Sequence, residues 1–252
     1  MLALWLLMTP SHAWNHSEQV WDHTDLGYCV EAGLAAPGLS AEQTAAEIGW
    51  AFDAWAGAGV VSFRELACDD PLADIHVGGG AASTGLETTI VEGDGGLDIC
   101  SVTYDIIDKA EIRLGEGVGW VTTDEVDGGL CADGHHLGTA LAHEVGHVLG
   151  LDHSCEEDEV CESQEATTAL MVWGTAPCDV GSPNQDDEEG LYLLYSGDDS
   201  DCDSQGPDSV DPVPGTSTDD DAPDGCGCSS GAGGASLWLG AGLVLVGRRR
   251  RR

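Results

Sequence analysis

Three histidines and one glutamate within an eleven-residue segment form the pattern best suited to chemistry in this sequence. His143 and His147 are four residues apart, so a helix places both imidazoles on one face, where they can bind one metal ion. Glu144 is rotated by about 100 degrees from His143, which puts its carboxylate beside the metal. Gly150 allows a sharp turn out of the helix, and this turn brings His153 back as a third nitrogen ligand.

This ligand set indicates a catalytic zinc site and not a structural one. Three protein ligands leave a fourth position open to water, whose pKa zinc lowers towards about 7. Glu144 would then act as the catalytic base, taking a proton from the water and passing it to the leaving amine. No protein nucleophile is needed, and Ser154 is not interpreted as one.

The segments around the motif predict a strand, a helix, several strands and two further helices. Ser40 and Gln43 have capping-box spacing at the start of the first helix, and Ile48, Phe52 and Trp55 form its apolar stripe. Short strands are predicted at residues 26–31, 60–63, 73–77, 88–91, 110–114 and 118–122, while residues 93–108 are ambiguous.

Glycine and proline define the expected ends of other elements. Glycines at 78–80 are expected to break the strand at 73–77. The metal motif lies on a predicted helix at 136–149, which Gly150 ends. A last helix is predicted at 183–195, with Ser182 as its cap and Pro183 in its first position.

The charge balance limits the choice of partners. The formal net charge is -38, and five of the eight Lys and Arg residues are the last five of the chain. A protein this acidic repels nucleic acid and anionic lipid, so neither is expected as a partner. The length of 252 residues suits one well-buried domain with extended ends.

Ten cysteines without a CxxC pair favour disulfides in an oxidising compartment over a cysteine zinc site. The sequence does not decide their pairing. Cys155 with Cys161 would close a small loop, and Cys178 competes with either one. Cys226 and Cys228 stand apart in the tail.

Both ends are predicted to lie outside the folded body. Residues 1–13 suggest a signal peptide, the alternative being a buried N-terminal strand, and residues 197–225 predict an acidic disordered linker. Residues 226–252 contain a Cys motif, an uncharged apolar stretch and five arginines. As a helix that stretch spans about 25 Å, just short of a hydrocarbon core of about 30 Å, so it predicts a transmembrane segment with cytoplasmic arginines.

Residues 143–153 resemble the extended zinc motif of the metzincin metallopeptidases. Leu151 and Ser154 on either side of the third histidine resemble the matrixin branch in particular. Residues 169–171 resemble the Met-turn, which implies that Met171 lies beneath the metal. Three further places resemble matrixin strands and the C-terminal matrixin helix, at residues 73–77, at 110–114 with Trp120, and at 186–187 with 190–195.

The resemblance covers roughly residues 26–196, and only its zinc motif is highly specific. It implies an α+β fold, a metzincin-like catalytic domain with a twisted mixed β-sheet, an active-site helix and a C-terminal helix. With the ends described above, this domain occupies residues 14–196. The expected activity is zinc endopeptidase, acting on a protein or peptide. The family also implies calcium sites, which this sequence does not assign.

Several positions depart from the family pattern. No cysteine-switch propeptide is visible before Cys29, and Trp173 stands where astacin-like enzymes have a tyrosine. His76 alone makes no second zinc site and is interpreted as an edge-strand histidine. Residues 172–178 are expected to form the wall that selects substrates, but the sequence does not indicate which side chain they accept.

The tail resembles the C-terminal sorting tails of myxobacterial surface proteins. This implies processing near Cys226 or Cys228 by sorting machinery and display on the cell surface; an ordinary membrane anchor is the alternative. Both place the catalytic domain outside the cytoplasm, secreted or anchored to the bacterial surface.

Two other functions compete with an endopeptidase. One is a non-catalytic zinc-containing surface binding module, against which Glu144 speaks because a structural site needs no such carboxylate. The other is a zinc amidase acting on cell-wall peptides, which the motif does not exclude.

Overall fold

The computed structural model describes residues 15–80, 85–100, 102–155, 167–172, 174 and 176–196. The predicted signal peptide, linker and tail lie outside these residues, as do Cys161 and Trp173. Along the described chain the elements are β1 (Asn15–His16), β2 (Gln19–Val20), β3 (Asp25–Val30), α1 (Ala41–Ala56), β4 (Ser62–Glu65), β5 (Ile75–Gly79), β6 (Leu86–Ile99), β7 (Val102–Leu114), β8 (Trp120–Val121), α2 (Thr123–Asp127), β9 (His135–His136), α3 (Leu137–Val148), β10 (Leu151–Asp152) and α4 (Gln185–Ser196).

A mixed six-stranded sheet forms the frame of the fold. Strands β4, β3, β5 and β7 are parallel neighbours in that order. Strand β6 pairs antiparallel with β7 along nearly its whole length, and β2 adds a short parallel pair to β7. With helices packed on this sheet, the predicted α+β fold is confirmed.

Helices α1 and α3 pack against each other over the sheet. The apolar stripe predicted for α1 is buried, because Ile48, Phe52 and Trp55 are at most 2% exposed. The indole Nε1 of Trp55 donates to the carbonyl oxygen of Ala142 at 2.7 Å, and the Phe52 ring stacks on Tyr28. The helix that carries the metal motif therefore rests on a rigid apolar layer.

The predicted start of α1 is confirmed, and that of the last helix is wrong. Ser40 and Gln43 exchange both bonds of a capping box, at 3.0 and 3.2 Å. Helix α4 begins at Gln185 and not at Pro183. The side-chain oxygen of Asn184 accepts from the N–H groups of Asp186 and Asp187, so Asn184 takes the role predicted for Ser182.

Two strand predictions also need correction. Gly78 and Gly79 do not break β5 but pair with Arg113 and Leu114 of β7. The side chains of Glu31 and Arg113 bind the N–H and the carbonyl of Gly79. Of the residues that the sequence left ambiguous, 93–99 belong to β6 and 102–108 to β7. His76 is not an edge-strand histidine, since β5 has β3 on one side and β7 on the other.

Disulfide bonds connect distant parts of the described chain. Cys29 is joined to Cys68, and Cys131 to Cys178; Cys100 and Cys155 are also disulfide-bonded. Cys178 therefore does not compete for Cys155. Within the part of the chain that the structure describes, no helix has the length and apolar character needed to cross a membrane.

Candidate metal centre

Helix α3 and the turn after it bring the three histidines of the motif together. Nε2 of His143 lies 3.1 Å from Nε2 of His147 and 3.2 Å from Nε2 of His153. His143 and His147 are 5% and 6% exposed, while His153 is half-buried. The three nitrogens thus converge on one point that is closed by protein on the helix side.

The backbone fixes which nitrogen of each buried ring carries the hydrogen. Nδ1 of His143 lies 2.8 Å from the carbonyl oxygen of Leu170, and Nδ1 of His147 lies 2.9 Å from that of Leu151. A carbonyl oxygen only accepts hydrogen bonds, so each Nδ1 donates and each Nε2 presents a lone pair. Metal-binding histidines are typically held in this way.

Converging lone pairs repel one another, and a bound cation removes that repulsion. Burial lowers the pKa of His143 to about 4. Burial, with His143 and His153 nearby, holds the pKa of His147 well below its usual value. Both rings are therefore neutral near pH 7. Tetrahedral ligands about 2.0–2.1 Å from zinc lie about 3.3 Å apart, so the three histidines fit a zinc ion.

The position of the third histidine depends on a tight turn and on the N-terminal strand. Gly150 has φ +90°, a left-handed conformation that favours glycine. Strand β10 then pairs antiparallel with β1, and the side-chain N–H of Asn15 donates to the backbone carbonyl of His153 at 2.8 Å. The strand β1 thereby supports the loop that carries His153.

Met171 packs against helix α3, and its place beneath the metal stays a prediction from the resemblance. It is 1% exposed and so close to Gly146 that an added Cβ there would overlap the Met171 sulfur. The carboxylate of Asp187 on α4 accepts from the N–H groups of Leu170 and Met171, at 2.7 and 3.0 Å. Because the Leu170 carbonyl binds His143, Asp187 supports the metal centre through this turn.

Glu144 follows the first histidine and is 3% exposed. The hydroxyl of Thr88 on β6 donates to its Oε2 at 2.5 Å. Burial raises the pKa of Glu144 to about 7, although the hydrogen bond from Thr88 acts in the opposite direction. Such a carboxylate can take up or release a proton near neutral pH.

The C-terminal end of α3 is closed by two aromatic side chains. Nε1 of Trp21 donates to the carbonyl of Val148, and the hydroxyl of Tyr195 donates to that of Leu149, both at 2.9 Å. These bonds satisfy carbonyls that lack a partner at a helix end. They fix the point at which the chain turns towards His153.

Sequence reasoning predicted His143, Glu144, His147, His153 and Met171 as site residues. The structure brings the three histidine Nε2 atoms together, buries Glu144 against Thr88 and packs Met171 against Gly146. Sequence reasoning missed three supporting residues, Asn15, Thr88 and Asp187. Only one of these left a usable pattern. Thr88 is a polar residue in an alternating row between Leu86 and Ile90, which face the core.

A second group of three candidate ligands lies on the sheet. Cys29, Cys68 and His76 have ligand atoms within 4.8 Å of one another. Both sulfurs are joined in a disulfide, and Nδ1 of His76 lies 3.2 Å from a carboxylate oxygen of Glu111. Since a disulfide leaves no thiolate to bind a metal, this group is a structural cross-link.

Comparison with known proteins agrees with this geometry. The sequence matches the matrixin family over residues 20–196. Matrix metalloproteinase-23 of Mus musculus is 28% identical over 194 residues, which make up 69% of this chain and 42% of that protein. The chain therefore spans less than half the length of that relative. Because the family match includes the metal centre and well over half of the chain, this protein belongs to the matrixin family.

Proposed function

We propose that this protein is a zinc-dependent endopeptidase that acts outside the cytoplasm. The observation that carries the proposal is the convergence of three Nε2 lone pairs beside the buried carboxylate of Glu144. Membership of a zinc metallopeptidase family supports it. A non-catalytic binding module would need no buried carboxylate at this position.

In the proposed reaction His143, His147 and His153 would hold zinc, which when bound would supply Lewis-acid chemistry. Glu144 accepts the proton of the reacting water and delivers it to the leaving amine. Thr88 and the turn at Met171 hold the reacting side chains in place.

The proposal extends to the location of the protein. Disulfides at Cys29, Cys68, Cys131 and Cys178 are compatible with an oxidising, extracellular compartment. We propose a signal peptide at 1–13, a catalytic domain at 14–196, a linker at 197–225, and an anchor or sorting tail at 226–252. Calcium binding stays a prediction from the family, without assigned residues.

The first test compares the full chain, produced with its disulfides formed, with Glu144→Gln. We expect the wild type to carry about one zinc per chain and to cleave casein. The variant keeps its zinc but loses at least about 100-fold in activity, because an amide cannot act as a base. Zinc content and casein cleavage are measured on both proteins, with Glu42→Gln, an exposed acid on α1, as the matched control.

Zinc binding without cleavage of casein or of a broad peptide library would contradict the proposal. It would favour the surface binding module. Cleavage of cell-wall peptides alone would favour the amidase.

A further inference from the structure

Strand β6 presents a polar side chain to the metal-binding helix in the middle of an apolar row. Leu86, Thr88 and Ile90 alternate along the strand and are 4%, 1% and 3% exposed. Glu87 and Thr89, which lie between them, point to the other face and are half-buried. If packing alone determined this row, valine would serve at position 88, because valine has the shape of threonine without the hydroxyl.

A buried hydroxyl destabilises a protein unless it has a hydrogen-bond partner. The partner of Thr88 is the Oε2 atom of Glu144, 2.5 Å from its Oγ1. An ionised carboxylate only accepts, so Thr88 is the donor. The polar residue in the core row and the carboxylate beside the histidines therefore satisfy each other.

Two features make Thr88 a stiff support. Threonine is branched at Cβ and has few rotamers available on a strand, and Thr88 lies within the paired part of β6, opposite Ile112 of β7. The last torsion of a glutamate side chain is soft by comparison. A fixed donor on Oε2 holds this torsion and leaves Oε1 free for a water.

From this geometry we infer that Thr88 is a positioning residue for Glu144, which it holds by one carboxylate oxygen so that the other faces the reacting water. The inference rests on the proposed peptidase function and adds a role that the metal motif does not contain. Thr88 is not among the residues proposed to hold zinc. It acts only through the orientation of Glu144.

The test replaces Thr88 by valine, which removes the hydroxyl and keeps the shape, and by serine, which keeps the hydroxyl. The control is Thr89→Val, the same substitution on the opposite face of the strand. For Thr88→Val we expect kcat to fall roughly 10- to 100-fold, the range typical of groups that orient a metal site. KM and zinc content stay within about twofold of the wild type, because zinc is bound by the histidines. Thr88→Ser recovers most of kcat, and Thr89→Val behaves as wild type.

A second readout does not depend on activity. In crystal structures we expect one carboxylate orientation for Glu144 in the wild type and in Thr88→Ser, and rotation away from β6 or two orientations in Thr88→Val. Thermal unfolding is measured on each variant, so that loss of the fold is recognised. If the valine variant does not fold, Thr88→Ala is compared with Thr88→Ser in the same way.

Two results would overturn the inference. One is a folded Thr88→Val protein with wild-type kcat and an unchanged Glu144 orientation. The other is a folded Thr88→Ser protein as inactive as the valine variant. If the wild type holds zinc but cleaves nothing, the proposed function fails, and the orientation of Glu144 alone then decides this inference.

Discussion

Asp187 shows how a single buried carboxylate can hold several segments around a metal centre. Its oxygens accept from the N–H groups of Leu170, Met171 and Asn184, at 2.7, 3.0 and 2.8 Å. One side chain therefore fixes both the start of α4 and the turn that carries Met171. Burial raises the pKa of Asp187 to about 6, against the opposing effect of these hydrogen bonds.

This raised pKa predicts a pH dependence of stability. The folded-state pKa of about 6 lies above the ordinary value of 3.8, so between about pH 4 and pH 6 the folded chain binds more protons than the unfolded chain. The contribution of Asp187 to the free energy of unfolding is therefore greatest below pH 4 and is lost as the pH rises through 6. In the metal-free protein, Asp187→Asn removes this part of the slope.

Denaturant unfolding at a series of pH values measures the effect, with Asp133→Asn as the control because Asp133 is exposed. An equal slope in wild type and Asp187→Asn would show that Asp187 does not titrate in this window. Metal-free protein is needed because protons compete with zinc for the histidines.

At the scale of single residues, the sequence predicted those that follow a fixed spacing along the chain. His143, Glu144 and His147 follow from the periodicity of a helix, and Gly150 from the turn that must come after it. Asp187 was indicated by the sequence only as part of a segment that resembles the C-terminal matrixin helix, without a role of its own. Its contacts with residues 170 and 171 depend on packing between segments, which no local pattern contains.

Among the elements, the turn between α3 and β10 is constrained both by its backbone conformation and by close packing. Gly150 has φ +90°, and a Cβ at this position would overlap the carbonyl oxygen of Gln19, the first residue of β2. The N–H of Ser17 donates to the carbonyl of Gly150 at 2.8 Å. The turn that follows helix α3 is thus packed directly on the backbone at Ser17 and Gln19.

We therefore expect Gly150→Ala to destabilise the fold and displace His153. A left-handed alanine costs about 1–2 kcal/mol, and backbone crowding adds to this, so the total loss is about 3 kcal/mol. Denaturant unfolding and zinc affinity are measured against Gly33→Ala. Gly33 has φ +77° but open space around its Cβ position, so it isolates the cost of the left-handed backbone. Equal losses in the two variants would contradict the role of crowding.

Helices were easier to predict than strands in this chain. The start of α1 and the end of α3 are set by local contacts of Ser40, Gln43 and Gly150, so short-range patterns locate them. The glycines of β5 and the long β6–β7 hairpin depend on pairing between distant strands. That pairing turns glycines that look like breakers into strand residues.

Across the whole molecule, acidic charge dominates. The described body contains the basic residues Arg64, Lys109 and Arg113, and each lies within 4 Å of an acid. Lys109 also donates to the carbonyl of Ala73 at 2.9 Å, and Arg113 to that of Gly79 at 2.7 Å. These few cations are used to join strands and leave most of the acids unneutralised.

This charge balance predicts that salt stabilises the protein. Repulsion among unneutralised carboxylates favours the expanded, unfolded chain. Raising NaCl from about 10 mM to about 200 mM shortens the Debye length from about 30 Å to less than 10 Å, so we expect Tm of the metal-free protein to rise by several degrees. The rise shrinks at pH 4, where many carboxylates are protonated. A Tm that is flat or falls with NaCl at pH 7 would contradict this expectation.

The disulfide bond between Cys131 and Cys178 closes a covalent ring that contains the candidate metal centre. Its two cysteines are 47 positions apart in the sequence, and the segment between them includes all three histidines, Glu144 and Met171, so the candidate site residues lie on one covalent ring. A peptidase in solution meets other copies of itself. A single cut within this ring would open the backbone without releasing a fragment, and the two new ends would stay tethered. Such nicked molecules would run at full length on a gel until the disulfide is reduced.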